Sequence, residues 1–108
     1  MSGMSHKCSS LKELNLDNFN TNNVTDMDSM FSRCSSLEIL NLNNFNTDNV
    51  DNMDGMFYGC SSLKELNLDN FNTDNVTYMD SMFEGCSNDL IMKIKTQYEN
   101  IFDEAFEN

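Results

Sequence analysis

CSSLKELNLDNFNTDNVTYMDSMFEG, running from Cys60 to Gly85, decides the fold because nearly the same words stand at Cys8–Arg33 and at Cys34–Gly59. The three copies align without a gap, and 17 of their 26 positions are identical throughout. The invariant set holds eight apolar positions, Leu11, Leu14, Leu16, Phe19, Val24, Met27, Met30 and Phe31 in the first copy, with counterparts from Leu37 to Phe57 and from Leu63 to Phe83. A fixed period of this length predicts a repeat solenoid. Successive coils stack, equivalent side chains fall into columns, and the columns merge into one core. A single coil buries too little to fold alone, so each depends on its neighbours.

Within a copy, the spacing L-x-x-L-x-L puts Leu14 and Leu16 on one face of a short strand, and stacked copies give a parallel sheet with about 4.8 Å between strands. The segment LDNFNTNNV, rich in turn formers, predicts a bend pinned by Phe19. Val24, Met27, Met30 and Phe31 then recur at three- and four-residue intervals, which predicts a short extended piece followed by a helical or 3₁₀ turn.

The ends read differently from the middle. Met1 to Met4 fall in register with Met27 to Met30, and Ser5 stands where Phe31 would, so residues 1–7 read as an incomplete first coil. The three repeats occupy 8–86 (8–33, 34–59 and 60–85). In 87–108 the pattern breaks, and Leu90, Ile91, Ile94, Tyr98, Ile101, Phe102 and Ala105 mark one face of a capping helix with Ser87 or Asn88 as N-cap. A helix that pairs two chains is the alternative. Either the incomplete coil or this helix offers a route to a homo-oligomer.

The 108 residues suit one small domain, and its formal charge of −12, from 18 Asp and Glu against six Lys and Arg, argues against nucleic acid or an anionic membrane surface. A basic protein partner or a cation is the expected direction. No apolar run reaches the length of a membrane-spanning helix, and MSGMSHKCSS lacks the hydrophobic segment of a secretory signal, so neither insertion nor export is expected from this stretch.

Each class of reactive residue has a plain structural reading. Cys8, Cys34, Cys60 and Cys86 recur at a constant interval, unlike the CxxC pairs of zinc sites, and stacking keeps them from converging on one metal. Their Cβ atoms are expected to run parallel, which disfavours bridges and predicts a ladder of buried reduced thiols. Asn18, Asn20 and Asn23, with their counterparts, suit bends in which side-chain amides satisfy backbone groups of their own coil and the next. The acids of TDMDSM, DNMDGM and TYMDSM match no EF-hand or nonapeptide calcium loop, which leaves calcium binding as the third reading and metals and cofactors as none. Asn23-Val24-Thr25 and Asn75-Val76-Thr77 form glycosylation sequons that belong to the repeat itself. The row Thr21, Thr47 and Thr73 resembles ice-binding solenoids only in part, since those pair their threonines as T-x-T. The one histidine, His6, has no nucleophile in register with it, and no glycine loop cradles a phosphate, so no enzyme is expected.

Asn15, Asn41 and Asn67 lie between inward leucines and are expected to face solvent. Beside them run Glu13, Ile39 and Glu65, and then Asp17, Asn43 and Asp69. Together they predict an acidic, amide-rich contact face with one apolar break at Ile39.

With these residues in view, the repeat resembles the bacterial surface protein 26-residue repeat of the BspA-like leucine-rich-repeat group, found in mycoplasma lipoproteins and in surface proteins of Listeria. The Cys, the L-x-x-L-x-L, the N-V-T-x-M and the M-F-x-G-C elements follow that order at that period over residues 8–85. The resemblance implies a right-handed leucine-rich-repeat solenoid, a place at the cell surface, a role in adhesion or other protein contacts, and no catalytic residues. The expected function is therefore a non-catalytic protein-interaction module, with a purely structural repeat, natural or designed, as its rival.

Overall fold

The computed structural model describes residues 12–14, 16, 20–98 and 102–106. Three short strands, β1 (Glu13–Leu14), β2 (Ile39–Asn41) and β3 (Glu65–Asn67), form one parallel sheet in the order β1-β2-β3. Glu13 pairs with Ile39 and Ile39 with Glu65, while Leu14, Leu40 and Leu66 stand side by side. The strands stop early because an asparagine bends the chain. The Asn41 Oδ1 accepts the Asn43 N–H at 2.9 Å, and the Asn67 Oδ1 accepts the Asp69 N–H at 2.9 Å, each an Asx turn. Directly beyond, Leu42 and Leu68 turn into the core.

The second half of each repeat contains no helical turn among the described residues, which corrects the sequence expectation. Parallel bridges join Asp26 to Asn52 and Asn52 to Tyr78, and consecutive tight turns follow. In these turns successive N–H groups go alternately outward and inward. Met27, Ser29, Phe31 and Arg33 donate to the carbonyls of Asn52, Asp54, Met56 and Tyr58 in the next repeat, at 2.6 to 2.9 Å. Between them, Met30, Ser32 and Cys34 close turns on Met27, Ser29 and Phe31. Met53, Gly55, Phe57 and Gly59 repeat the outward pattern onto Tyr78, Asp80, Met82 and Glu84. A helix would send every N–H back along its own chain. Here the backbone reaches sideways by taking left-handed φ at Ser29 (56°), Arg33 (65°), Gly55 (61°), Gly59 (75°), Ser81 (57°) and Gly85 (84°).

The bends are joined by buried threonines and by asparagine side chains. The Thr21 hydroxyl donates to the Asn46 carbonyl at 3.1 Å and accepts the Asn46 N–H at 2.8 Å, and Thr47 does the same with Asn72 at 3.0 and 2.8 Å. Both threonines are only 1% exposed, so they form no ice-binding surface. The amides of Asn44, Asn49 and Asn75 donate to carbonyls of Leu16, Asn22 and Asp48 in the preceding repeat. Asn75, the sequon residue, thus has its amide engaged in the fold.

The core is one cluster of columns. Phe31 stacks on Phe57 (5.8 Å, 7°) and Phe57 on Phe83 (5.5 Å, 12°). The helix α1 (Asn88–Gln97) starts where Ser87 accepts the Leu90 N–H, and it buries Leu90 and Ile94 against this cluster. The single long helix expected over the C-terminal stretch is not formed. The chain leaves helical geometry at Tyr98 (φ −119°, ψ 54°) and makes a separate 3₁₀ turn, Asp103–Phe106. The break lets Phe102 sit buried edge-on to Phe71, Phe83 and Tyr98, and lets Phe106 stack on Phe83 (5.2 Å, 16°) as a further rung of the phenylalanine column.

Candidate functional site

The contact face expected from the sequence is assembled by the sheet register. Glu13, Ile39 and Glu65 form one cross-strand row, all exposed, with Ile39 at 40%. Asn41 is exposed and Asn67 half-buried in the next row, and Asn43 and Asp69 are exposed in the third. Asn15, Asp17, Asn18, Phe19 and the coil assigned to 1–7 lie outside the described residues.

Three members of this face carry structural work that the sequence did not announce. Asn41 and Asn67 spend their carbonyl oxygens on the Asx turns, so their amide ends are what they offer to a ligand. Asp69 accepts the Tyr98 hydroxyl at 2.7 Å, and that hydroxyl accepts the Leu68 N–H at 2.9 Å. Burial, reinforced by the bond to the Asp69 carboxylate, raises the Tyr98 pKa above its ordinary value. The pair pins the end of α1 to the third repeat.

Beside the face, α1 and the strands β2 and β3 enclose a groove of about 390 Å³, with Ile39, Asn41, Glu65 and Asn67 on one side and Lys93 and Gln97 on the other. The sequence reading missed the helical wall. Its signal was present, since Leu90, Lys93, Ile94 and Gln97 fall at helical spacing: the two apolar residues are buried and the two polar ones flank them. A second groove of about 650 Å³ adjoins the first across Lys64 and Lys93. The Lys93 Nζ donates to the Lys64 carbonyl at 3.5 Å, and Lys64 lies 3.8 Å from Glu38 in an exposed ion pair that contributes little. The face therefore has an acidic row, an apolar centre at Ile39 and two ammonium groups at the groove.

The thiols differ from the sequence expectation. Cys34 is disulfide-bonded to a partner outside the described residues, whereas Cys60 and Cys86 are free and buried. The ladder of buried reduced thiols expected from the sequence therefore holds for Cys60 and Cys86 and not for Cys34. Cys60 donates to the Phe31 carbonyl at 3.1 Å and Cys86 to the Phe57 carbonyl at 3.3 Å. Burial pushes the Cys60 thiol up to about 11 and, together with the proximity of Cys60, the Cys86 thiol up to about 12. Neither is an activated nucleophile. Among the described residues no group of three or more His, Cys, Asp or Glu is placed to hold a metal ion, and no helix is long and apolar enough to cross a membrane.

Strands paired at a constant offset, with columns of identical side chains beneath them, define a repeat protein. The chain belongs to the family described as Mycoplasma protein of unknown function, DUF285, whose model matches residues 1–108. No curated protein and no solved structure matches it.

Proposed function

We propose that this protein is a non-catalytic interaction module, a short leucine-rich-repeat-like solenoid of the BspA-like kind that meets a protein partner at the cell surface through its strand face. The observation that carries this reading is the exposed row Glu13, Ile39 and Glu65 beside the groove under α1. An apolar side chain between two carboxylates, on backbone fixed by the sheet, suits a partner segment with an apolar residue flanked by basic ones. The net charge of −12 adds long-range attraction for the same kind of partner. The disulfide at Cys34 agrees with a surface location, because such bonds persist in oxidising surroundings. A purely structural repeat is the second reading, favoured by the number of Asn and Asp side chains that serve their own fold.

Binding to an array of immobilised peptides graded in net charge separates the two. The chain should retain lysine-rich peptides carrying one large apolar residue, with a signal that falls as salt rises. The double variant Glu13→Lys/Glu65→Lys should lose the signal without a change in melting temperature. Asp69 is left intact because it holds Tyr98. Equal retention by parent and variant removes the strand face from the account, and no retention of any peptide favours the structural reading.

A further inference from the structure

Cys60 and Cys86 occupy the same repeat position in consecutive coils, both buried and both free. We propose that they form a second disulfide when the protein meets a small-molecule disulfide such as oxidised glutathione, fastening the capping end of the chain to the third repeat. Three observations carry this. The backbone before the two cysteines is in direct contact: Gly59 donates to the Glu84 carbonyl at 2.8 Å, and a Cβ placed on Gly85 would lie 3.0 Å from the Gly59 Cα. The corresponding approach one coil earlier is looser, with a Cβ on Gly59 lying 3.5 Å from the Arg33 Cα. Cys34, the other column neighbour of Cys60, is already bonded. Cys86 also points toward the backbone of Cys60, since its thiol donates to the Phe57 carbonyl, the same group that accepts the Cys60 N–H at 3.1 Å. Closing the bond asks Cys60 to rotate about Cα–Cβ, and both thiols give up a weak S–H···O bond, Cys60 to Phe31 and Cys86 to Phe57.

The exchange runs in two steps that balance. Cys86, 9% exposed against 0% for Cys60, loses its proton, and its thiolate attacks one sulfur of the glutathione disulfide. That S–S bond breaks, one glutathione thiolate leaves and takes up a proton, and Cys86 is held as a mixed disulfide. Cys60 then loses its proton and attacks the Cys86 sulfur, expelling the second glutathione, which takes up the second proton. Two protein thiols are oxidised and one small disulfide is reduced to two thiols. Burial, which raises both thiol pKa values, makes the reaction slow in the folded chain, so assembly during folding is its natural route.

The test is oxidative refolding of the full chain. The fully reduced protein is unfolded in urea, refolded in a glutathione redox buffer, denatured again in iodoacetamide and examined by intact mass and peptide mapping. The expected result is no alkylated cysteine and a linked peptide pair containing Cys60 and Cys86. The variant Cys86→Ser should then carry one alkylated thiol, at Cys60. Refolded protein with native circular dichroism that is alkylated at both Cys60 and Cys86 overturns the proposal. So does a mixed glutathione disulfide that persists on either residue, or a linked pair joining Cys34 to Cys60.

Discussion

Replacing Thr47 by valine tests whether the threonine column holds the coils together. Valine keeps the branched shape and volume of threonine and removes only the hydroxyl. That hydroxyl donates to the Asn72 carbonyl at 3.0 Å and accepts the Asn72 N–H at 2.8 Å, in a site where Thr47 is 1% exposed. Each bond contributes about 1 kcal/mol net, and a backbone group left facing a methyl costs about 1–3 kcal/mol. Asn72 is half-buried, so water relieves part of that cost. The sum is a loss of about 2–4 kcal/mol, or a fall of roughly 10–30 °C in melting temperature for a domain of this size. Thr47→Ser keeps both bonds and deletes one methyl group, about 1 kcal/mol. Thermal and urea unfolding followed by circular dichroism should therefore rank the proteins wild type, then serine, then valine. A valine variant as stable as wild type, or more stable than the serine variant, would refute the reasoning.

The remaining predictions concern backbone, cap and titration. Ser81→Gly should raise the unfolding free energy by up to about 1 kcal/mol, seen as a higher urea midpoint, because Ser81 holds φ 57° where Gly55 stands one repeat earlier; an unchanged or lower midpoint counts against a left-handed strain there. Gly85→Ala should cost more than about 1–2 kcal/mol in the same assay, since φ is +84° and the new Cβ meets the Gly59 backbone. Tyr98→Phe removes the hydroxyl shared by Asp69 and Leu68 and should cost about 1–3 kcal/mol, with faster amide exchange in α1 than in β2; uniform exchange changes would contradict a local pin. In the reduced protein the contribution of Cys60, Cys86 and Tyr98 to stability should be constant below about pH 8 and fall from about pH 9 toward 12. The unfolded thiols ionise near their ordinary 9.0, while folded Cys60 and Cys86 stay protonated to about 11 and about 12, so each costs about 1.4 kcal/mol per pH unit across its own window, and the raised Tyr98 has the same sign. A melting temperature constant from pH 7 to 10.5 would contradict it.

How much of this was legible in the sequence depends on whether the cause was local or repeated. The pairing of Leu14, Leu40 and Leu66 could be read directly, because identical residues at a constant interval leave one register that buries them all. The start of α1 at Ser87 carried its own capping signal. The stop after Gln97 carried none: no glycine or proline stands there, and the helix yields to the bond of Tyr98 with Asp69 and to the burial of Phe102. The left-handed positions were half-visible, since Gly55, Gly59 and Gly85 marked them in some copies while Ser29, Arg33 and Ser81 hid them in others. Of the contact face, the rows of Glu13, Ile39 and Glu65 followed from alternation along a strand. The wall supplied by Lys93 and Gln97 did not, because where a helix is laid is decided by the core that it covers.

One property of the turn ladder reaches beyond a single chain. Its outward N–H groups point the same way, from Met27 to Arg33 onto the second repeat and from Met53 to Gly59 onto the third. The stack thus has a donor pole and an acceptor pole, like a bar magnet. A twofold axis reverses that direction, so two copies related by one would set donor against donor or acceptor against acceptor and could not continue this ladder. Any assembly that uses it must add copies in one direction, which leads to open chains instead of symmetric pairs.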